Sequence, residues 1–246
     1  WAARSLVGLG KIQNYKKEYA KAMSYFEETR DVAAKGGIKN MEAEALKNIG
    51  GVLRVQKNYA KAMEVLSKAL EISRTIAEKD TEDAVLYEIV NVRYDAEEYA
   101  KAAEALETIL SLRHLRKDKE GEIATLNDLG SLSSHVRDYA KAKDYYSRSL
   151  ALGTDLRDKA AQAWSLKELA ACTRKAGDAD AALKLYERSL ALWKELNNSK
   201  KQIDLLDVIG GALYDDGKFS QAGKTYEAAL QIARETKNSY AENVLL

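Results

Sequence analysis

One tetrapeptide recurs along this chain of 246 residues at a constant interval. Tyr-Ala-Lys-Ala begins at four positions spaced 40 residues apart, and the same step then reaches two related tetrapeptides: Tyr19, Tyr59, Tyr99, Tyr139, Ala179 and Phe219. Two columns of leucine keep the same register: Leu70, Leu110, Leu150, Leu190 and Leu230, and Leu6, Leu46, Leu86, Leu126, Leu166 and Leu206. A fixed period of this length predicts an array of similar units that bury their apolar faces against one another. The six units span residues 1–40, 41–80, 81–120, 121–160, 161–200 and 201–240.

The apolar residues inside each unit follow the spacing of a helix. In the second unit Leu46, Ile49 and Leu53 are separated by three or four residues, and Ala62 and Leu66 repeat that spacing after a polar interruption. Proline, which breaks helix interiors, does not occur in the chain. Each unit is therefore predicted to be a pair of helices, and the fold class to be all-α.

Short polar stretches mark where these helices end. Within units the predicted breaks fall at Gln56-Lys57-Asn58, Val136-Arg137-Asp138 and Ala176-Gly177-Asp178. Between units they fall near pairs of helix-stop and cap residues: Gly36-Gly37, Lys79-Asp80, Lys117-Asp118, Arg157-Asp158 and Asn197-Asn198.

Several units combine a small residue in the first helix with an alanine and a large residue in the second. Two units that show this combination are the second and the fourth. Their residues are Leu46, Ile49-Gly50, Leu53, Ala62 and Leu66, and Leu126, Leu129-Gly130, Ser133, Ala142 and Tyr146. This order and spacing resembles the tetratricopeptide repeat. The small residues should let the paired helices approach closely, and Leu66 or Tyr146 should fill the adjacent space.

The resemblance implies a right-handed α-solenoid whose first helices line a concave surface. The usual repeat has about 34 residues and ends with proline, whereas these units have 40 residues and no proline. The chain is similar to the extended subclass found in kinesin light chains, spindle-orientation adaptors, bacterial regulators and repeat-fused proteases. The additional residues predict a longer second helix.

Residues 241–246 start a seventh unit, in which Leu246 is in phase with Leu206. Solenoids normally close with a polar capping helix, and none follows. We therefore expect the chain to be a fragment of a larger protein that associates with itself through this end.

The composition argues against several classes of partner. The 39 basic and 38 acidic residues nearly cancel, so no global field favours nucleic acid. No apolar run approaches the length needed to cross a bilayer, so membrane insertion is not expected. The single cysteine, Cys172, rules out an internal disulfide and fits a reducing, cytoplasmic location.

The chemistry-bearing residues do not form a recognisable catalytic or metal pattern. His114 and His135 are the only histidines and lack the His-Glu-x-x-His pattern of a metal helix. Cys172 stands next to a packing column and is best interpreted as a small buried residue. We predict no enzyme activity, no metal site and no cofactor.

The concave surface implied by the resemblance can be assigned from helical spacing. Aromatic rings there would supply rigid contact area, and amide and charged groups would bind a partner's backbone and side chains. The predicted binding residues are Lys47, Asn48, Arg54, Tyr87, Asn91, Tyr94, Asn127, Ser131, His135, Trp164, Lys167 and Arg174. The surface also changes from basic to acidic along the array, from Arg4, Lys11, Lys47 and Arg54 to Asp204, Asp207 and Asp215.

We therefore expect a scaffold or adaptor that binds a peptide or helical segment of a partner protein in this groove. Two alternatives remain: a regulatory or sensory arm of a larger enzyme or transcription factor, and a structural subunit of a large assembly. The clamp that some repeats of this family use for chaperone tails is not expected, because Gly51 and Glu88 stand where it requires asparagine.

Overall fold

A computed structural model describes residues 2–236 of the chain, and within that range the protein is all-α, with no strand. Twelve helices follow one another in the described residues: α1 (Ala2–Tyr15), α2 (Tyr19–Lys35), α3 (Lys39–Val55), α4 (Tyr59–Thr75), α5 (Lys79–Asp95), α6 (Tyr99–Leu115), α7 (Lys119–His135), α8 (Tyr139–Asp155), α9 (Lys159–Lys175), α10 (Ala179–Glu195), α11 (Ser199–Asp215) and α12 (Phe219–Glu235). They form six consecutive helix pairs, which confirms the predicted fold class and repeat number.

The helices and loops are uniform in length. Every helix from α2 to α12 has 17 residues. In each pair from α3–α4 to α11–α12 the two helices therefore have the same length. That the second helix is longer than in the usual repeat stays a prediction. The predicted breaks within units coincide with the observed loops, but Lys79 and Asp80 begin α5, so that break lies just before them.

The middle residue of each loop has a positive φ angle, which closes the preceding helix. In the loop after α3, Lys57 has φ 60° and the Asn58 N–H donates to the Leu53 carbonyl at 2.9 Å. This pairing across six residues is a Schellman motif, which normally favours glycine at its left-handed position. Gly37, Gly177 and Gly217 supply glycine in three loops, whereas eight others use a side-chain-bearing residue.

Small residues bring the two helices of a pair together. The alanine column of the second helices is buried in all six repeats: Ala22, Ala62, Ala102, Ala142, Ala182 and Ala222. A Cβ atom added to Gly50 would lie 2.6 Å from Leu66, and one added to Gly130 would lie 2.5 Å from the Tyr146 ring. The predicted structural role of these glycines is confirmed.

The chain divides into two compact units that each contain several repeats, residues 1–112 (unit 1) and residues 113–246 (unit 2). From here on a 40-residue segment is called a repeat, and the word unit refers to these two parts. In unit 1, α3 packs against α2 and α4, and it also contacts the first helices α1 and α5. In unit 2, α9 packs against α8 and α10 and contacts the first helix α7. Each unit therefore brings consecutive first helices side by side.

The predicted seventh repeat and the self-association through it concern residues 240–246, which lie outside the described range. Among the helices of residues 2–236, none combines the length and apolar character that a membrane span requires.

Candidate functional site

The predicted binding residues of unit 1 lie on its first helices, and we call them the unit 1 face. They comprise three residues on α3 and three on α5: Lys47, Asn48, Arg54, Tyr87, Asn91 and Tyr94. Asn91 and Tyr94 are exposed, whereas the other four are partly buried. Because α3 contacts α5, the structure brings these two groups of side chains together.

Arg54 connects the two helices of this face. Its Nε atom lies 2.8 Å from Glu88 Oε1, and its Nη1 atom lies 2.6 Å from Asp95 Oδ2. Asn91 Nδ2 donates to the second oxygen of Glu88 at 3.4 Å. Charge-assisted bonds of this kind fix side-chain geometry, so Arg54 organises the surface and its charge is matched inside the protein.

Lys47 differs from Arg54 because it forms no ion pair within the described residues. Burial lowers the pKa of its ammonium group, and the positive charge of Lys11 lowers it further, while Glu44 and Glu88 oppose the shift. Lys11 itself is bound to Glu44 at 2.7 Å. Lys47 is therefore a partly desolvated cation that an anionic group of a ligand would stabilise.

Aromatic and amide groups complete the unit 1 face. The Tyr94 ring meets the Tyr99 ring edge to face, with 5.4 Å between centroids, and 39% of Tyr94 remains exposed. The buried Asn48 Nδ2 atom has no hydrogen-bond partner. The face thus combines an accessible ring with an unsatisfied donor behind the surface.

The remaining predicted residues lie in unit 2, and we call them the unit 2 face. They comprise three residues on α7 and three on α9: Asn127, Ser131, His135, Trp164, Lys167 and Arg174. Ser131 and His135 are exposed, and the other four are partly buried. The contact between α7 and α9 places these residues on adjacent helices.

A hydrogen bond and a ring contact connect the unit 2 face to the buried core. Ser131 Oγ lies 3.1 Å from the Tyr146 hydroxyl, and the Tyr146 ring packs edge to face on Trp164 at 5.8 Å. Tyr146 is 1% exposed, and burial raises its pKa. Trp164 is therefore held on a rigid support, as an aromatic contact residue should be.

The basic residues of the unit 2 face are also paired. Arg174 Nη2 lies 3.2 Å from Asp215 Oδ2 and 3.1 Å from Asp216 Oδ1. Lys167 pairs with the adjacent Glu168 at 2.7 Å. Arg174 repeats the role of Arg54, since both join a first helix to the first helix of the next repeat.

Helix α11 continues the unit 2 face with acidic and aromatic groups. Asp204 and Asp207 are exposed, and Tyr214 is 60% exposed with its ring 5.2 Å from the Phe219 ring. At Gly211 an added Cβ would meet only the Tyr226 hydroxyl, at 3.7 Å. The lack of a side chain there leaves space beside the Tyr226 hydroxyl.

Glu88 and Asp95 were not among the residues predicted for the site. They hold Arg54 across separations of 34 and 41 residues. Asp215 holds Arg174 across the same separation of 41 residues. Equivalent residues of adjacent repeats are 40 positions apart. A search of the sequence for oppositely charged residues separated by about that number could have predicted these pairs.

Two observations concern residue types that could carry catalytic chemistry, namely metal ligands and a cysteine thiol. Among residues 2–236, no three histidine, cysteine or acidic side chains are grouped as metal ligands would be. Cys172 is buried, and burial raises the pKa of its thiol. A buried neutral thiol is a poor nucleophile, which agrees with the packing role predicted for it.

Sequence models of the tetratricopeptide repeat match residues 43–76, 121–195 and 159–235. The matches include Gly50 and Gly130, whose packing is described above, and four of the six residues of the alanine column: Ala62, Ala142, Ala182 and Ala222. The chain belongs to the tetratricopeptide repeat family. A comparison with curated protein sequences gave no match.

Solved structures of several proteins resemble this chain in fold. BtubC (BKLC) from P. vanneervenii is 19% identical with a TM-score of 0.70, and the alignment covers 90% of this chain and 92% of BtubC. A STAND protein with a tetratricopeptide repeat sensor from Pyrococcus horikoshii is 18% identical with a TM-score of 0.74, covering 96% of this chain but 36% of that protein. A Rap protein complexed with Competence and Sporulation Factor is 14% identical with a TM-score of 0.57, covering 98% and 71%.

These similarities extend the comparison beyond the residues that the sequence models match. At sequence identities of 19%, 18% and 14% these similarities show a shared fold and nothing further. Function has to be inferred from the side chains of the unit 1 and unit 2 faces.

Proposed function

We propose that this tetratricopeptide repeat protein is an adaptor that binds a segment of a partner protein on the first-helix faces of its units. The observation that supports this most is the group of accessible aromatic and amide side chains on those faces. Asn91 and Tyr94 provide it in unit 1, and the supported Trp164 provides it in unit 2. No reaction is proposed, because tetratricopeptide repeats are generally not enzymes.

The side chains of the faces suit an extended or helical peptide. An asparagine can donate to and accept from a peptide backbone at the same time. A tyrosine or tryptophan held by a second ring offers contact area at a small cost in side-chain entropy. Gly51 leaves room for Glu88, whose Oε1 would lie 3.3 Å from an added Cβ, and at Gly211 an added Cβ would meet only the Tyr226 hydroxyl.

The ion pairs alter the electrostatic part of the proposal. Arg54 and Arg174 are matched by carboxylates, so we assign them a positioning role. Lys47 then provides the cation of the unit 1 face, and Asp204 and Asp207 provide the anions of the unit 2 face. A partner with an acidic group at unit 1 and a basic group at unit 2 would match these charges.

One structural relative offers a parallel for this proposal. The Rap protein of similar fold is complexed with Competence and Sporulation Factor. The place of the partner segment on the first helices of this chain is proposed from the side chains of the unit 1 and unit 2 faces alone.

A regulatory arm is the second candidate. In the STAND protein from Pyrococcus horikoshii the tetratricopeptide repeats are a sensor, and this chain aligns with 36% of that protein. A sensor would use the same faces to bind its ligand and would transmit the result to another domain. Sequencing the complete reading frame decides between a separate adaptor and an arm of an enzyme or transcription factor.

Selection from a random peptide display library against the whole chain tests the proposed surface. We expect the selected peptides to bind at least fivefold more weakly to a variant in which Tyr87 and Tyr94 are both replaced by alanine. The same loss of affinity is expected for Trp164→Ala. The control is Tyr145→Ala on the second helix α8, which removes one partly buried ring outside both faces. The proposal is wrong if the Tyr145 variant loses affinity and the face variants, still folded by circular dichroism, retain it.

A further inference from the structure

A leucine column of the second helices is interrupted at one repeat only. The first repeat has Arg30 at this position. The five later repeats have leucine there: Leu70, Leu110, Leu150, Leu190 and Leu230. All six positions are buried or partly buried. An arginine in a packing column is an unusual choice, because its charged head has to reach water.

Unit 2 shows what the leucine of this column does. Leu190 packs against a buried cluster that includes Leu206 of the next first helix and Ala229 of the next second helix, and Ile232 packs against the same cluster. The unit 1 residues equivalent to Leu190, Leu206 and Ile232 are Arg30, Leu46 and Ile72. In unit 1, therefore, an arginine stands where unit 2 has a leucine packed against such a cluster.

A groove is open at this place in unit 1. It has a volume of about 510 Å³, and its lining includes Arg30, Leu46, Val65 and Ile72. Arg30 lies at the rim, where its Nε and Nη2 atoms both contact one oxygen of Asp31 at 2.8 Å. Val65 and Ile72 of the lining are partly buried, whereas Leu46 is 7% exposed.

A second change of sequence accompanies the first. In unit 2, Glu122 at the start of a first helix contacts His114 of the preceding second helix at 3.3 Å. The equivalent positions in unit 1 are Glu42 and Ala34, so this cross-helix contact cannot form. Glu42 instead binds Lys39 of its own helix at 2.8 Å. A carboxylate of the groove is thereby neutralised, and no basic side chain extends from position 34.

The remaining charged groups of the lining are two cations and one carboxylate, Arg30, Lys68 and Glu71. Lys68 pairs with Glu64 at 2.7 Å, but both side chains are more than half exposed. Exposed pairs of this kind contribute little to stability, because water and salt screen them. Arg30 and Lys68 can therefore exchange their present partners for a ligand's anionic group.

We propose that this groove is a binding site for a small aliphatic carboxylate. The hydrocarbon chain would pack on the partly exposed Val65 and Ile72, next to the position that leucine occupies in the later repeats. The carboxylate would be bound by Arg30 and Lys68 at the rim. A volume of 510 Å³ falls in the range of small-molecule sites, which are mainly apolar with a few polar groups that fix orientation.

Three probes of equal chain length test this site: hexanoate, 1-hexanol and hexylammonium, titrated into the whole chain and followed by amide NMR shifts. We expect saturable shifts around Arg30 and Ile72 with hexanoate, and at least tenfold weaker binding of hexylammonium. Equal affinity for all three probes would mean that the rim does not recognise a carboxylate, and would overturn the proposal.

Arg30→Leu is the decisive variant, because it restores the leucine of the column, fills the groove and removes the cation. Hexanoate affinity should fall at least tenfold, while the thermal midpoint stays the same or rises. Lys68→Gln, which leaves the groove open, should weaken hexanoate but not 1-hexanol. The control is Arg148→Leu, which removes an exposed arginine on α8 in unit 2. Undiminished hexanoate binding in Arg30→Leu would refute the site.

Discussion

Gly130→Ala provides the sharpest test of how the paired helices pack. The new Cβ would lie 2.5, 2.7 and 2.8 Å from three carbons of the Tyr146 ring, more than about 0.5 Å inside normal contact distance. The ring has no room to retreat, because Tyr146 is 1% exposed, touches Trp164 and is hydrogen-bonded to Ser131. The two helices must separate instead.

The expected magnitude is the difference between two opposing effects. Overpacking of a buried site costs about 1–3 kcal/mol, and three close ring contacts favour the upper end. Alanine is favoured over glycine in a helix interior by about 1 kcal/mol. Gly130→Ala should therefore lower the free energy of unfolding by about 2 kcal/mol, and the thermal midpoint by about 4–8 °C.

Gly223→Ala on α12 is the matched control, since nothing lies within 4 Å of its added Cβ. The same substitution should there raise the free energy of unfolding by about 0.5–1 kcal/mol. Urea denaturation followed by circular dichroism measures both variants. The reasoning fails if Gly130→Ala is as stable as the parent or if both substitutions change stability in the same direction.

The remaining predictions concern the loops, the thiol and the buried phenol. Ala77→Gly should raise the free energy of unfolding by about 0.5–1 kcal/mol, because Ala77 has φ 54°; an unchanged urea midpoint would count against this. Cys172 should react with Ellman's reagent only after unfolding, because burial raises the pKa of its thiol; rapid labelling of the native chain would contradict its buried position. Burial raises the pKa of Tyr186 to about 12, from about 10 in an unfolded chain. The unfolded chain loses this proton first, so stability should fall as the pH rises from about 10 to 12. Tyr186→Phe should show a smaller decrease over the same range in urea titrations.

The sequence allowed the fold to be predicted almost in full, because local and periodic signals agreed. The polar triplet at 56–58 interrupts an apolar period of three and four, and the structure has a loop there. Gly130 and Tyr146 were paired from their spacing, and the two residues do pack together. Such agreement is expected where each repeat has to pack on nearly identical neighbours.

The details that were missed depend on contacts between repeats. Ala77 adopts a left-handed conformation although alanine has no local preference for it, because the helices on both sides determine the path of the loop. Glu88 is indistinguishable in the sequence from a solvated carboxylate until Arg54 of the preceding repeat is placed next to it. Arg30 resembles an ordinary charged residue in the sequence. Its place in a groove is recognised only when the structure shows it next to Val65 and Ile72, at the position where the later repeats have leucine.

Hydrogen–deuterium exchange on the whole chain, with and without a peptide selected from the display library, tests the proposed mode of binding most directly. If the first-helix faces bind the partner, protection should increase in α3 and α5 of unit 1 or in α7, α9 and α11 of unit 2, with little change in the second helices. Protection confined to second helices such as α4, α8 and α10 would contradict the account, because the peptide would then occupy a surface that carries none of the proposed binding residues.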